Sequence, residues 1–427
     1  MLFTVEKKRS GKYVFNTAWM LLEPVMRLLV SLVVMAKIAR HLGTESYGIY
    51  AFSIGAVSVF DLLARYGVDA KLVSSLVENK GSRSKENKIF LKMFYLRAFS
   101  SLLMFFTLNA FNFFSYDRPV SLILLIFSLT VLLNPFELSE KYLESEVRAI
   151  EYVKPKLFIF LIFSAIKVGS ISFGLTIEGL VFLMLLEKIF IAFSHILIIR
   201  KYRLLNFHSG VVWREYFLLF RKMLPLAVCS YYLFVFYRLD TFIVKWFLDE
   251  ANLGFYFASN KLFEVISFIP LVIANSLFPK LVENSKVFGR VNQKKSNLYF
   301  ISAIILPVLL IMLTSLFSGR FLIISFFGDD FLGAVRLMSY HSLPFFGFAL
   351  LVVSHKYIVV SGIEKSVMKI GLTLLPFFLF GGSHILKVYS VESFIMFKGG
   401  FLIFLASISL VIAWYKQKKK FTQHLGA

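Results

Sequence analysis

The sequence predicts an all-α polytopic membrane protein of about 12 transmembrane helices in two pseudo-symmetric six-helix lobes, and three observations predict it. Hydrophobic residues fill 58% of 427 positions, above the roughly 45–50% of soluble domains, and the mean hydropathy is +0.76. The apolar residues gather into runs long enough to cross a bilayer. A short glycine-centred stretch, Ala39 to Tyr50, is echoed by Leu253 to Ser259 after the midpoint. The offset that places Gly48 on Gly254 also places Tyr50 on Tyr256, Ser53 on Ser259 and Leu42 on Leu248. In both copies an apolar run precedes the turn and another follows, so the repeating unit reads as a helical hairpin whose glycine permits close backbone approach.

A crossing of the roughly 30 Å hydrocarbon core takes about 20 apolar residues. That length marks spans at 13–38, 47–68, 89–113, 119–138, 156–175 and 177–199 in the first half. The second half gives 216–237, a hairpin-like stretch 239–275 cut between Phe247 and Asn252, then 297–317, 334–360, 367–386 and 391–415. The expected lobes are therefore 1–203 and 216–427, joined by a linker 204–215. The first apolar run is longer than a signal-peptide core and no Ala-x-Ala site follows it, so it reads as a retained span.

Net charge is +22 and the isoelectric point near 9.8, but the Lys and Arg residues lie mostly in loops between apolar runs. Topology explains this better than nucleic acid does. Seven segments carry most of the basic residues: the N-terminus, Lys71–Lys92, Lys141–Lys156, Arg200–Lys222, Lys280–Lys295, Lys356–Lys369 and the tail Lys416–Lys420. The opposite loops hold far fewer, chiefly Lys37, Arg40, Arg118, Lys245, Arg320, Arg336 and Lys387. Both termini are thus expected in the cytoplasm, with the tail anchoring the last helix or meeting anionic lipid heads. The single cysteine, Cys229, excludes an intrachain disulfide and reads as a small core residue.

No catalytic signature stands out. A phosphate-cradling P-loop is absent, as are His-Glu-x-x-His and Gly-x-Ser-x-Gly patterns, so the reading is a transporter and not an enzyme, with no metal and no cofactor. Asp329-Asp330 reads as a turn and helix N-cap. The informative residues are ionisable groups inside spans, where a charge at the bilayer centre costs at least about 2.5–3.5 kcal/mol. They are Glu23 and Arg27, Asp61 and Arg65, Lys167, and in the second half Arg238, Asp240, Lys261, Glu264, Arg336, His341 and Lys398. Glu23–Arg27 and Asp61–Arg65 are spaced i,i+4 and Lys261–Glu264 i,i+3, which suits either mutual neutralisation or the handling of a substrate or ion. Lys167 and Lys398 have no acid within a helical turn and need a carboxylate from another helix or an anionic ligand. Tyr231, Tyr232, Tyr237 and Tyr256 gather near the second copy of the repeat, where their faces and hydroxyls suit sugar contact or a membrane interface.

At four patches the chain resembles the polysaccharide and O-antigen flippases of the multidrug/oligosaccharidyl-lipid/polysaccharide exporter superfamily. These are Ile38-Ala39-Arg40-His41-Leu42-Gly43 with Tyr47-Gly48-Ile49-Tyr50; Leu239-Asp240 ahead of Leu253-Gly254-Phe255-Tyr256; Ile269-Pro270 with Phe278-Pro279-Lys280-Leu281; and Phe327-Gly328-Asp329-Asp330-Phe331. The resemblance implies two lobes around a central cavity open to one side at a time. It further implies a multi-pass protein of the bacterial inner membrane that carries an undecaprenyl-diphosphate-linked oligosaccharide between leaflets for O-antigen, capsule or exopolysaccharide. The implied partners are that substrate, bilayer lipids and other polysaccharide assembly proteins.

A diphosphate leaving water needs cations, and Arg27, Arg65, Lys167, Arg238, Lys261 and Lys398 are the candidates. Proton or sodium coupling would fall to Glu23, Asp61, Asp240 or Glu264, with Asp240, beside Arg238, the first choice. Two other functions stay open: a cation-coupled multidrug exporter of the same superfamily, in which carboxylates would dominate, and a membrane-embedded polymerase or ligase, for which a large outer loop would be expected.

Overall fold

The computed structural model describes residues 2–116, 118–205, 213–286 and 290–425, and among them every regular element is a helix. In hydrocarbon the backbone must satisfy its own donors and acceptors, and apolar runs of this length do so as helices. Helix α1 (Leu2–Ala64) carries the first two expected spans, and its only non-helical residue is Gly43, at φ 72. The turn expected between those spans is thus a single left-handed residue, a conformation open to glycine without a Cβ penalty. Left-handed Tyr66 and Gly67 then break the chain before α2 (Val68–Glu78) and α3 (Arg83–Ser115).

The fourth expected span, 119–138, runs further than its sequence limit. It comprises α4 (Arg118–Leu132), a 3-10 turn over Asn134–Glu137, and α5 (Leu138–Ser145). Pro135 lacks the N–H that a continuous helix needs, so the helix tightens into the 3-10 turn and restarts. Then come α6 (Ile150–Ile171) and α7 (Ile177–Lys201), the latter capped by the Thr176 hydroxyl, which accepts from Gly179 N–H.

The second half opens with α8 (Trp213–Arg238) and α9 (Asp240–Phe247), followed by α10 (Glu250–Ile266) and α11 (Phe268–Lys286). It closes with α12 (Arg290–Phe327), α13 (Leu332–Ser361), α14 (Glu364–Val388) and α15 (Val391–Leu425). Asp329 and Asp330 do form a turn before α13, a 3-10 one, but Gly328 holds its N-cap position and no side-chain capping bond forms.

Nine helical stretches among the described residues are long and apolar enough to cross a membrane. One of them, Ala18–Ala64, has 47 residues, enough for two crossings of about 20 each. Helices α6 and α8, with 22 and 26 residues, are also long enough but more charged. Counting them brings the crossings to about 12. The chain is a multi-pass, all-helical membrane protein.

By contacts it divides into two compact units, Met1–Leu42 with Ser53–Val228, and Gly43–Phe52 with Cys229–Ala427. The expected boundary was 204–215, of which 206–212 lie outside the described residues. In the first unit Tyr66, Phe90, Tyr142 and Tyr202 pack into one apolar cluster. In the second, the two copies of the repeat meet: a Cβ on Gly48 would lie 2.5 Å from the Glu250 carbonyl oxygen, and one on Gly254 would fall closer still to that of Thr44. The echoed glycines let two helices cross at backbone distance.

Candidate functional site

Charged residues of the first unit lie on spans whose apolar neighbours carry them into the bilayer, and they can remain ionised there only in company. Their ion pairs fall into two neighbouring sets, one around Glu23, Glu140 and Glu187 and one around Glu137, with the charge of Lys156 acting on both. On α1, Arg27 Nε donates to Glu23 at 2.9 Å, as the i,i+4 spacing suggests, and its guanidinium also lies 3.8 Å from Glu187 of α7 and 4.5 Å from the Phe160 ring centre. Lys167 of α6 meets Glu187 at 2.6 Å. About three turns earlier on α6, Lys156 bridges Glu140 at 2.8 Å and Glu23 at 3.7 Å. His195 shares Glu140 at 3.2 Å through Nε2, while its Nδ1 lies 2.9 Å from the Ser139 hydroxyl.

The 3-10 turn in the fourth span supplies the hub. Glu137 accepts from Lys188 and from Arg65, the latter at 3.1 Å, and sits 3.6 Å from Arg97. Asn134 joins both sides of the hub, accepting from Arg97 Nε at 2.5 Å and donating to the Asp61 carboxylate at 2.7 Å. Arg97, 1% exposed, also pairs with Asp69, and Arg65 meets Asp61 at 3.3 Å. Six carboxylates (Glu23, Asp61, Asp69, Glu137, Glu140, Glu187) therefore face six cations (Arg27, Arg65, Arg97, Lys156, Lys167, Lys188). The network is balanced yet not saturated, for the buried Nη2 of Arg27 has no hydrogen-bond partner.

Among its described residues the second unit holds two smaller clusters. Arg238, at the end of α8, reaches Glu264 of α10 at 2.5 Å and not its near neighbour Asp240; Lys261 shares that carboxylate at 3.3 Å. Asp240, at the start of α9, instead binds Lys398 of α15 at 2.7 Å and accepts from the Tyr256 hydroxyl. The Lys398 ammonium lies 4.7 Å from the Tyr237 ring centre, and His341 of α13 packs edge-on to Tyr256 with centroids 4.8 Å apart. Side-chain exposure of Lys398 and Asp240 is 0% and 2%, so this cluster is sealed where the first unit's network is half-buried.

Both lysines without a local acid thus find a carboxylate on another helix. Tyr237 and Tyr256 are buried against that cluster and present no open face to a sugar in this conformation, while the side chains of Tyr231, Tyr232 and Cys229 lie outside the described residues. The sequence reading passed over Arg97, Glu187, Lys188 and His195, although all four lie inside expected spans. The same search for ionisable groups in apolar runs reaches them. Glu137 and Glu140 fell at or past the expected end of the fourth span, whose unforeseen length hid them, while Lys156 fell at the expected start of the fifth, which begins earlier, at Ile150.

A comparison with curated proteins gives no match. Solved structures resemble the fold along nearly its whole length. The lipid II flippase MurJ in an inward closed conformation superposes with a TM-score of 0.68 at 13% identity, over 94% of this chain and 87% of that one. An inward-facing multidrug resistance transporter of the MATE family gives 0.66 at 11% identity, over 94% and 98%. The eukaryotic MATE transporter AtDTX14 gives 0.63 at 10%, over 96% and 99%. The family model described as polysaccharide biosynthesis protein matches residues 14–285, well over half of the chain, and the chain belongs to that polysaccharide biosynthesis family, built on the fold of the exporter superfamily's transporters.

Proposed function

We propose that this protein is a flippase that moves a lipid-linked oligosaccharide, of the undecaprenyl-diphosphate type, across the bacterial inner membrane by alternating access. The translocated repeat unit would serve O-antigen, capsule or exopolysaccharide synthesis. The observation that carries the reading is Arg27: a guanidinium inside the first apolar span, tied to two carboxylates, with one buried nitrogen still unpaired. A phosphate oxygen is the acceptor such a nitrogen suits, and a guanidinium fork holds it with direction. Family membership and the MurJ-like fold support the same class of cargo. Polysaccharide assembly proteins would act before and after it.

Ion coupling would run through Asp240. Protonating its carboxylate would remove the charge opposite Lys398, and a buried ammonium without a counter-charge favours rearrangement.

The test is Arg27→Lys and Arg27→Ala in a strain that depends on this protein for surface polysaccharide, with protein levels matched. Both variants should export roughly tenfold less polymer or worse, since a charged hydrogen bond is worth about 1.5–3 kcal/mol. Purified protein in vesicles should translocate a fluorescent lipid-linked oligosaccharide, and no cation-driven dye efflux should appear. Dye efflux with unchanged polymer export would assign the protein to drug transport.

A further inference from the structure

Beside the 3-10 turn that carries the hub, at one end of the first unit, a cavity of about 810 Å3 opens between the start of α3, that turn and the end of α7. Arg83, Arg200 and Arg203 line it, with Asn87 among them and Phe136, Ile196 and Ile199 as apolar wall. None of the three guanidiniums pairs with a carboxylate among the described residues. The surroundings explain why they converge. Lys201, between them in sequence, turns away to Glu151 at 2.8 Å, and Tyr202 buries its ring in the apolar cluster.

The end of α7 is then reversed by Arg203 at φ 49. The Leu204 N–H bonds to the Ile199 carbonyl and the Arg203 N–H to that of Arg200, the paired bonds of a Schellman cap. Glycine normally occupies that left-handed position; an arginine there is strained, and the strain brings a second guanidinium onto the face of Arg200. Arg83 is tethered to the same corner, donating to the Tyr202 carbonyl at 3.2 Å.

We propose that this cavity binds the phosphate of a lipid, the three arginines holding the anion and the isoleucine and phenylalanine wall receiving the upper acyl or prenyl chain. Pockets of about 300–1,000 Å3 accept ligands of head-group size, and basic pockets between membrane helices are suited to acidic head groups. Two lipids share that chemistry, an anionic phospholipid and a prenyl diphosphate. The site is separate from Arg27 and is read without transport, so failure of this inference leaves the flippase reading standing, and the reverse.

Native mass spectrometry of the full-length protein in uncharged detergent tests it, with phosphatidylglycerol, phosphatidylcholine, farnesyl diphosphate and inorganic phosphate as probes. Phosphatidylglycerol or farnesyl diphosphate should bind, and R200A/R203A should weaken that binding about tenfold or more. R200K/R203K, which keeps the charge, should retain binding within a few-fold, and Lys201→Ala should leave it unchanged. Whichever of the two lipids displaces the other at lower concentration identifies the source. Equal binding by R200A/R203A, equal binding of phosphatidylcholine, equal loss in Lys201→Ala, or displacement by inorganic phosphate at lipid concentrations would each overturn the proposal.

Discussion

Single residues divide into those whose partners the chain spacing reveals and those whose partners only the fold supplies. Glu23–Arg27, Asp61–Arg65 and Lys261–Glu264 pair as helical spacing requires, at 2.9, 3.3 and 3.3 Å. Lys398 and Asp240 stand 158 positions apart, so nothing local in the sequence announces their contact. Yet the sequence did show that Lys398 needed an anion, because an ammonium within an apolar run has no other means of staying charged. Asp240→Asn should therefore destabilise the protein by roughly 3–5 kcal/mol, by leaving that ammonium buried and unpaired. Thermal unfolding in detergent measures it. Asp240→Leu with Lys398→Met removes both charges and should recover most of the stability. If Asp240 couples transport to protons, this double variant stays folded while polysaccharide export remains lost; recovered export would make the pair purely structural.

Whole elements were legible where geometry repeats and obscure where side chains from several helices decide it. The echoed glycines predicted a close approach, and the fold places Gly48 against Gly254 with no room for a methyl group. Gly254→Ala meets backbone, which cannot rotate aside, so a loss of about 1–3 kcal/mol is expected in thermal unfolding. Gly400→Ala is the control, because nothing lies within 4 Å of its added Cβ. A loss of similar size at Gly400 would show the effect to be general.

The fourth span was cut short for the opposite reason. Pro135 announces a break, but the chain stays helical beyond it because Glu137, Glu140 and Asn134 are held from α1, α3, α6 and α7. Asn134→Leu should orphan Arg97 Nε and an Asp61 oxygen, at roughly 1–3 kcal/mol for each. It should also raise the protease sensitivity of the 3-10 turn. A variant as stable and as resistant as wild type would remove Asn134 from the hub.

At the scale of the molecule, the uneven distribution of basic residues makes a claim that each unit can be asked about separately. Segments expected on one side must meet at one end. In the first unit they do: Lys80 pairs with Glu146 at 3.2 Å, Lys201 with Glu151 at 2.8 Å, and Arg83 reaches Tyr202, joining three segments all assigned to the basic side. His41 meets the Leu175 carbonyl at 3.0 Å, joining two turns both assigned to the opposite side. The second unit repeats the pattern, with Lys416 donating to the Gly362 carbonyl at 2.5 Å on the basic side and Arg336 paired with Glu392 on the other.

Alternation of this kind follows from a ladder of crossings and fixes which segments share a side, while the excess of Lys and Arg predicts that the basic side faces the cytoplasm. Reporter fusions separate the two claims. Fusions after Lys80 and Lys295 should give cytoplasmic activity, and a fusion after Phe173 should give periplasmic activity. If all three signals were inverted, the ladder of crossings would hold and the charge argument would fall. A shared signal at Lys80 and Phe173 would break the ladder itself, because those positions lie at opposite ends of the same unit.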